Sequence, residues 1–166
     1  LARPTFDLTC AQANFDSARS LLIELGANVV GPTELVMTVE DLAAIKLPAA
    51  DLHILFMASF ADASPAVELF GKVKGPILGW SMREPGEVGE RLKLNSMCGV
   101  NLAAHALMNV GQSIRHIHGN ADEANVRSAI RDALAGKLPE ATAPKSIVGE
   151  FAPAGEVEKA FAWLKG

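Results

Sequence analysis

Two side chains in this sequence have the type and setting to hold a small polar ligand. Arg3 stands near the start of the chain with Pro4 fixing the path that leaves it. Its planar, permanently charged fork suits carboxylate, phosphate or polyol oxygens, although an arginine so placed can equally be a solvated surface residue. Trp80 closes the apolar run Ile77-Leu78-Gly79-Trp80. An indole at a strand end can cover the C–H face of a sugar or cofactor while its N–H donates outward, or it can be a core aromatic. Beyond Trp80, a loop carrying Arg83, Glu84, Glu87, Glu90, Arg91 and Lys93 could meet an anion or a neighbouring subunit, with plain solvation as the alternative.

Other chemistries find less support. No G-x-G-x-x-G follows a strand and no G-x-x-x-x-G-K-[ST] is present, so the sequence offers no phosphate-cradling turn. His116 and His118 lie two apart and would share one face of a strand, but no cysteine stands near them. The closest carboxylates, Asp122 and Glu123, are better placed to open the next helix than to complete a metal site. Cys98 sits near a helix start, where the dipole lowers a thiol pKa, yet nothing in the sequence brings His53 or His105 to it as a base.

The elements that must position these residues follow from the apolar spacing. Ala11, Phe15, Ala18, Leu22 and Leu25 predict a helix over 9–25, with Thr9 and Gln12 at capping-box spacing and Gly26 as its stop. Asn28-Val29-Val30 reads as a short strand. Thr38 and Asp41 open a second short helix, which ends before Pro48. The run Asp51–Ala58 is apolar on both faces, as a strand buried inside a parallel sheet requires. Ser64-Pro65 opens a helix, 77–80 forms a strand, Gly99–Gly111 a helix and Ile114–His118 a short strand. A helix with Val126, Ile130 and Leu134 on one face follows, capped by Asn120 or Asp122 and ended by Gly136. Beyond a linker at 139–144 come a weak strand at 146–148 and a last helix carrying Val157, Phe161 and Leu164.

This alternation predicts an α/β fold: an open parallel sheet of about five strands with helices on both faces, a Rossmann- or flavodoxin-like three-layer arrangement. Residues 1–137 form that domain. Residues 138–166 form a linker with a weak strand and a helix, or the beginning of a second domain. Such folds begin with a strand and this chain begins with a helix and with Leu, so the expectation is a first strand ahead of Leu1 and a truncated start. Ligands in open sheets bind beyond the carboxyl ends of the strands, where strand order reverses. Three segments qualify: 3–7, 59–62 and the loop after Trp80.

Composition fits one domain of this kind. Of 166 residues, 49% are apolar and 20% charged, enough to build a core without a disulfide or metal staple. Fifteen basic against nineteen acidic residues give −4 with no basic block, which speaks against a nucleic-acid partner. Apolar runs such as Ile54–Ala58 are far short of the roughly 20 residues of a membrane helix. Two cysteines and no secretory leader fit reduced thiols in the cytoplasm.

Three stretches together carry a family resemblance: Ala2-Arg3-Pro4-Thr5-Phe6-Asp7, Gly75-Pro76-Ile77-Leu78-Gly79-Trp80, and Arg91-Leu92-Lys93-Leu94-Asn95-Ser96-Met97-Cys98-Gly99-Val100-Asn101-Leu102, which continues to Leu107. Over residues 1 to about 135 the chain resembles the N-terminal domain of the L-fucose isomerase / L-arabinose isomerase superfamily, and among its members the bacterial fucose-isomerase-like sugar isomerases. The resemblance implies aldose–ketose isomerisation through an ene-diol, with a divalent metal, manganese, holding the substrate oxygens. It implies that the metal ligands and the acid/base carboxylates belong to later domains, so that this chain binds no metal and has no catalytic residue of its own. It further implies that Arg3 and Trp80 bind substrate, as part of a pocket wall delivered to a neighbouring subunit of a homo-oligomer. The alternative is a stand-alone flavodoxin-like module that binds a sugar or a partner without catalysis. A third reading, a small oxidoreductase, requires a bound flavin or nicotinamide.

Overall fold

The run from Asp51 becomes a buried strand because both of its faces are covered. In the computed structural model, which describes residues 1–87 and 89–141, β1 (His53–Met57) pairs in parallel with β2 (Ile77–Ser81), and β2 pairs in parallel with β3 (Ile114–His118). The register sets Phe56 beside Trp80 and Trp80 beside Ile117. The sheet order is β1-β2-β3. Among the described residues, five helices accompany it: α1 (Leu8–Glu24), α2 (Val39–Ala44), α3 (Ala63–Phe70), α4 (Ser96–Asn109) and α5 (Ala124–Leu134).

Strand pleating sends alternate residues to opposite faces, and each face has its own helices. Phe56, Leu78, Trp80 and Ile117 pack with Ala11, Ala18 and Leu22 of α1 and with Val126, Ile130 and Ala133 of α5. Leu55, Met57 and Ile77 pack on the other face with Ala66 and Phe70 of α3 and with Val100, Ala103 and Leu107 of α4. The result is the three-layer α/β arrangement expected from the sequence. Gly79 keeps α4 close to the sheet. A Cβ there would stand 2.8 Å from Val100 Cγ2 and 3.2 Å from Ile114 Cδ1. Gly99 does the same at the carboxyl end of β1, where a Cβ would stand 3.0 Å from Met57 Cγ and 3.1 Å from the Phe60 Cα.

The helix starts follow local hydrogen bonding more closely than residue type. The cap of α1 is Asp7, whose carboxylate accepts the Cys10 N–H at 2.9 Å, two residues ahead of the expected Thr9. The capping box of Thr38 and Asp41 forms as expected and opens α2. Three strands are present among the described residues rather than about five. Asn28–Val30 has no strand partner, and a strand exists only where a neighbour completes its ladder. The strand expected at 146–148 and the last helix lie outside the described residues. Among those described, no helix is long and apolar enough to cross a membrane.

The start of the chain joins the sheet edge. The Leu1 amino group donates to the Phe56 C=O at 2.8 Å, and the Ala58 N–H donates to the Leu1 C=O at 2.9 Å. This bonding around Met57 is that of one parallel rung. From Leu1 the chain passes to α1 on one face of the sheet, whereas from β1 it passes to α3 on the other. The carboxyl ends of Leu1 and β1 therefore flank the point where the winding reverses, the place at which open α/β sheets form their ligand crevice.

Candidate functional site at the carboxyl edge of the sheet

All three loop segments singled out in the sequence meet at this reversal. The Arg3 backbone N–H donates to Ser59 Oγ at 3.0 Å, and Ser59 is fully buried, so the start of the chain is tied to the loop that leaves β1. The Arg3 guanidinium donates from Nη2 to Asp62 Oδ2 at 2.7 Å and lies 5.8 Å from the Phe60 ring centroid. Phe60 in turn packs against Phe6 at 6.2 Å. The Arg3 side chain is 45% exposed, which leaves the rest of its donor fork open to a ligand. Asp62 stands at the N-cap position of α3 without bonding the helix, because its carboxylate is turned to Arg3.

The third segment is fastened by Glu84. Its carboxylate accepts the backbone N–H groups of Lys93, of Leu94 at 3.0 Å and of Asn95 at 2.6 Å, which bends the chain into a tight curve. Asn95 completes the bend in the left-handed region at φ 50°, a conformation that asparagine tolerates better than most residues. The curve is stitched to both other segments. The Asp7 N–H donates to the Lys93 C=O at 2.9 Å, and the Phe60 N–H donates to the Leu94 C=O at 2.7 Å. Arg91 Nη2 donates to the Thr5 C=O at 3.4 Å.

Just below, Ser96 is spliced between two strands. Its hydroxyl donates to the Met57 C=O and accepts the Met82 N–H at 3.0 Å, so a side chain fills the ladder where β1 and β2 part. Ser96→Ala leaves a buried carbonyl and a buried N–H without partners. Chemical denaturation is expected to show a loss of about 1–3 kcal/mol, and an unchanged midpoint would show that the strands close without the hydroxyl.

Trp80 departs from the stacking role expected of it. Its ring is 0% exposed, enclosed between the sheet and α1 and α5, with Phe56 edge-on at 5.4 Å. The indole N–H donates inward to the Gly119 C=O at 2.9 Å, at the end of β3. A ring without free surface cannot cover a sugar face. In this arrangement it holds the floor of the carboxyl edge instead.

The remaining candidates separate. Ser81 Oγ lies 2.8 Å from His116 Nε2 and 2.9 Å from His118 Nδ1. Burial, with His118 beside it, holds the His116 pKa below the ordinary histidine range, and the two rings flank Ser81. Arg83 grips Glu123 at 2.6 and 2.7 Å, and these bonds, with the Asn120 N–H, bring the Glu123 carboxyl down to about 2. His53 lies at the opposite, amino end of β1 with Nε2 3.3 Å from the Lys74 C=O, and His105 is exposed on the outer side of α4 near Asn109. Cys98 is exposed and has no hydrogen bond to a histidine among the described residues. Nor do those residues hold a group of three or more His, Cys, Asp or Glu that could hold a metal ion, so they do not fit manganese and no step here runs through one.

Ser59, Asp62 and Ser96 build the site without having been singled out individually, and Glu84, named only among the charged loop residues, serves it as a backbone acceptor. Their partners lie 59 residues away for Asp62 and 56 for Ser59, which no local pattern reveals.

No protein-family model matches the chain, and no solved structure does. It is similar to three proteins named sulfoquinovose isomerase: 37% identical over 109 residues to that of Clostridium sp. (strain MSTE9), 32% over 127 residues to that of Priestia megaterium, and 32% over 133 residues to that of Alkalicoccus urumqiensis. These matches cover 65%, 74% and 78% of this chain but 24%, 28% and 30% of the relatives, so the chain spans less than a third of the length of the curated proteins it matches.

Proposed function

We propose that this chain is the substrate-binding α/β domain of a cytoplasmic aldose–ketose sugar isomerase acting on sulfoquinovose or a closely similar sugar. The observation that carries this reading is the convergence of the three loops on an exposed, oriented Arg3 at the reversal of the sheet. The name shared by the relatives and the resemblance to fucose and arabinose isomerases agree on the class of reaction. Arg3 holds oxygen atoms of the open-chain sugar, hydroxyl or sulfonate, through the part of its fork that Asp62 leaves free. Trp80 acts from beneath by fixing Gly119. Both contribute by positioning, which lowers the entropic cost of reaching the reactive geometry, and neither moves a proton. Metal ligands and acid/base groups come from outside this chain, and the pocket wall is delivered to a neighbouring subunit of a homo-oligomer.

The test is to incubate the whole protein with sulfoquinovose and a divalent metal and to follow ketose formation by NMR. Isomerisation that is lost on chelation and restored by manganese is the expected result. Saturable sugar binding without turnover would assign the chain to the non-catalytic binding module instead, and neither binding nor turnover would remove the sugar reading altogether.

A further inference from the structure

The ion pair between Arg3 and Asp62 leaves half of each partner's bonding capacity open. Arg3 gives one N–H, from Nη2 to Asp62 Oδ2. Among the described residues, nothing accepts from Arg3 Nη1 or Nε and nothing donates to Asp62 Oδ1. The Asp62 side chain is 57% exposed, so its second oxygen is within reach of a ligand beside the open part of the Arg3 fork. Both line a small hollow of about 70 Å³ in which Thr38 is the other polar side chain. One cation and one anion are its charged side chains, and it carries no net charge.

Folding stability alone does not account for the direction Asp62 takes. A carboxylate at the first position of a helix stabilises it by accepting an N–H of the first turn, at least as well as an exposed ion pair does. Asp62 has the extended backbone of such a cap, at φ −64° and ψ 158°, yet its side chain makes no bond to α3 and turns to Arg3.

A donor and an acceptor side by side match one chemical group. A hydroxyl has a lone pair for the guanidinium and a hydrogen for the carboxylate, and neighbouring hydroxyls of a sugar chain can divide these roles. A sulfonate has acceptor oxygens alone. It has no hydrogen for Asp62 Oδ1, and its negative charge is set against the carboxylate, a juxtaposition that costs binding energy.

We infer that Asp62 is a substrate-binding residue, which with Arg3 forms a clamp for sugar hydroxyls, and that the sulfonate of the sugar is held away from this pair. The inference rests on the reading of Arg3 as a sugar contact and narrows it: of hydroxyl and sulfonate, the pair takes hydroxyl. Arg3 donates to a hydroxyl oxygen, and Asp62 Oδ1 accepts from the same or the adjacent hydroxyl. No proton changes hands.

The experiment compares the whole wild-type protein with Arg3→Ala and Asp62→Asn on two sugars, sulfoquinovose and 6-deoxyglucose, which lacks the sulfonate. The readouts are kcat/KM for the first and kcat/KM, or the inhibition constant against sulfoquinovose, for the second. Asp62→Asn keeps an amide oxygen for Arg3 Nη2 but puts a donor where the open acceptor stood. Asp62→Asn is expected to weaken both sugars by the same factor of about ten, and Arg3→Ala likewise, so that the ratio between the sugars stays within about twofold. An Asp62→Asn protein that handles sulfoquinovose as well as the wild type or better overturns the inference. So does an Arg3→Ala protein that loses sulfoquinovose tenfold more than 6-deoxyglucose, because the sulfonate then sits on Arg3 and the reading of Arg3 as a sugar contact stands. Wild-type values in both variants for both sugars end that reading together with the inference.

Discussion

Arg3→Ala in the whole protein is expected to lower kcat/KM for the sugar about ten- to hundredfold, the kinetic equivalent of the roughly 1.5–3 kcal/mol that hydrogen bonds to a charged group contribute. The loss follows from the geometry. One edge of the guanidinium is held by Asp62 and the ring of Phe60 lies alongside it, so the free edge would meet a ligand in a fixed orientation. Arg3→Lys keeps the charge but not the planar fork, and is expected to recover only part of the loss. Neither change should disturb folding. The ion pair with Asp62 is solvent-exposed, where such pairs contribute little, and a released Asp62 is free to cap α3 in its place. Steady-state kinetics, thermal melting and metal content measured on the same preparations check this. A variant with normal kinetics would leave Arg3 a surface residue, and one that melts early would attribute the loss to folding.

Trp80 divides the other way. Trp80→Ala is expected to cost about 3–5 kcal/mol of stability in urea denaturation, because it empties a fully enclosed site in the core shared by the sheet, α1 and α5. Trp80→Phe retains a ring against Phe56 but loses the bond to Gly119 and part of the indole's packing, so a smaller cost of about 1–3 kcal/mol is expected. The split between KM and stability tells a buried strut from a ligand contact. A Trp80→Phe protein that folds normally but binds the sugar tenfold less tightly would return the indole to the pocket and contradict the enclosed placement.

Much of the layering was legible in the sequence, for reasons that these residues make explicit. Residues 51–58 and 77–80 read as buried strands because helices cover both faces, so no polar alternation interrupts them. That same double burial hides which face Trp80 takes. Apolar residues flank it at Leu78 and Met82, and an indole packed inward and one turned to a crevice leave the same pattern. Asn28–Val30 has the composition of a strand, but strand formation depends on a neighbour and composition does not show one. Arg3 stood out as a candidate in the sequence, where Pro4 and the expected sheet reversal coincide, and folding sets it where the three loops converge. Its supports were not legible. Ser59, Asp62, Glu84 and Ser96 are ordinary loop and helix-start residues until folding sets them against partners far along the chain.

The carboxylate of Glu84 has a further consequence. Three successive backbone N–H groups at Lys93, Leu94 and Asn95 form the kind of concavity that captures phosphate or sulfate in many proteins, and here it is filled from within. The loop carries its own counter-ion. An anionic solute therefore finds no vacancy in this nest, and at this edge of the sheet it meets the exposed guanidinium of Arg3 instead.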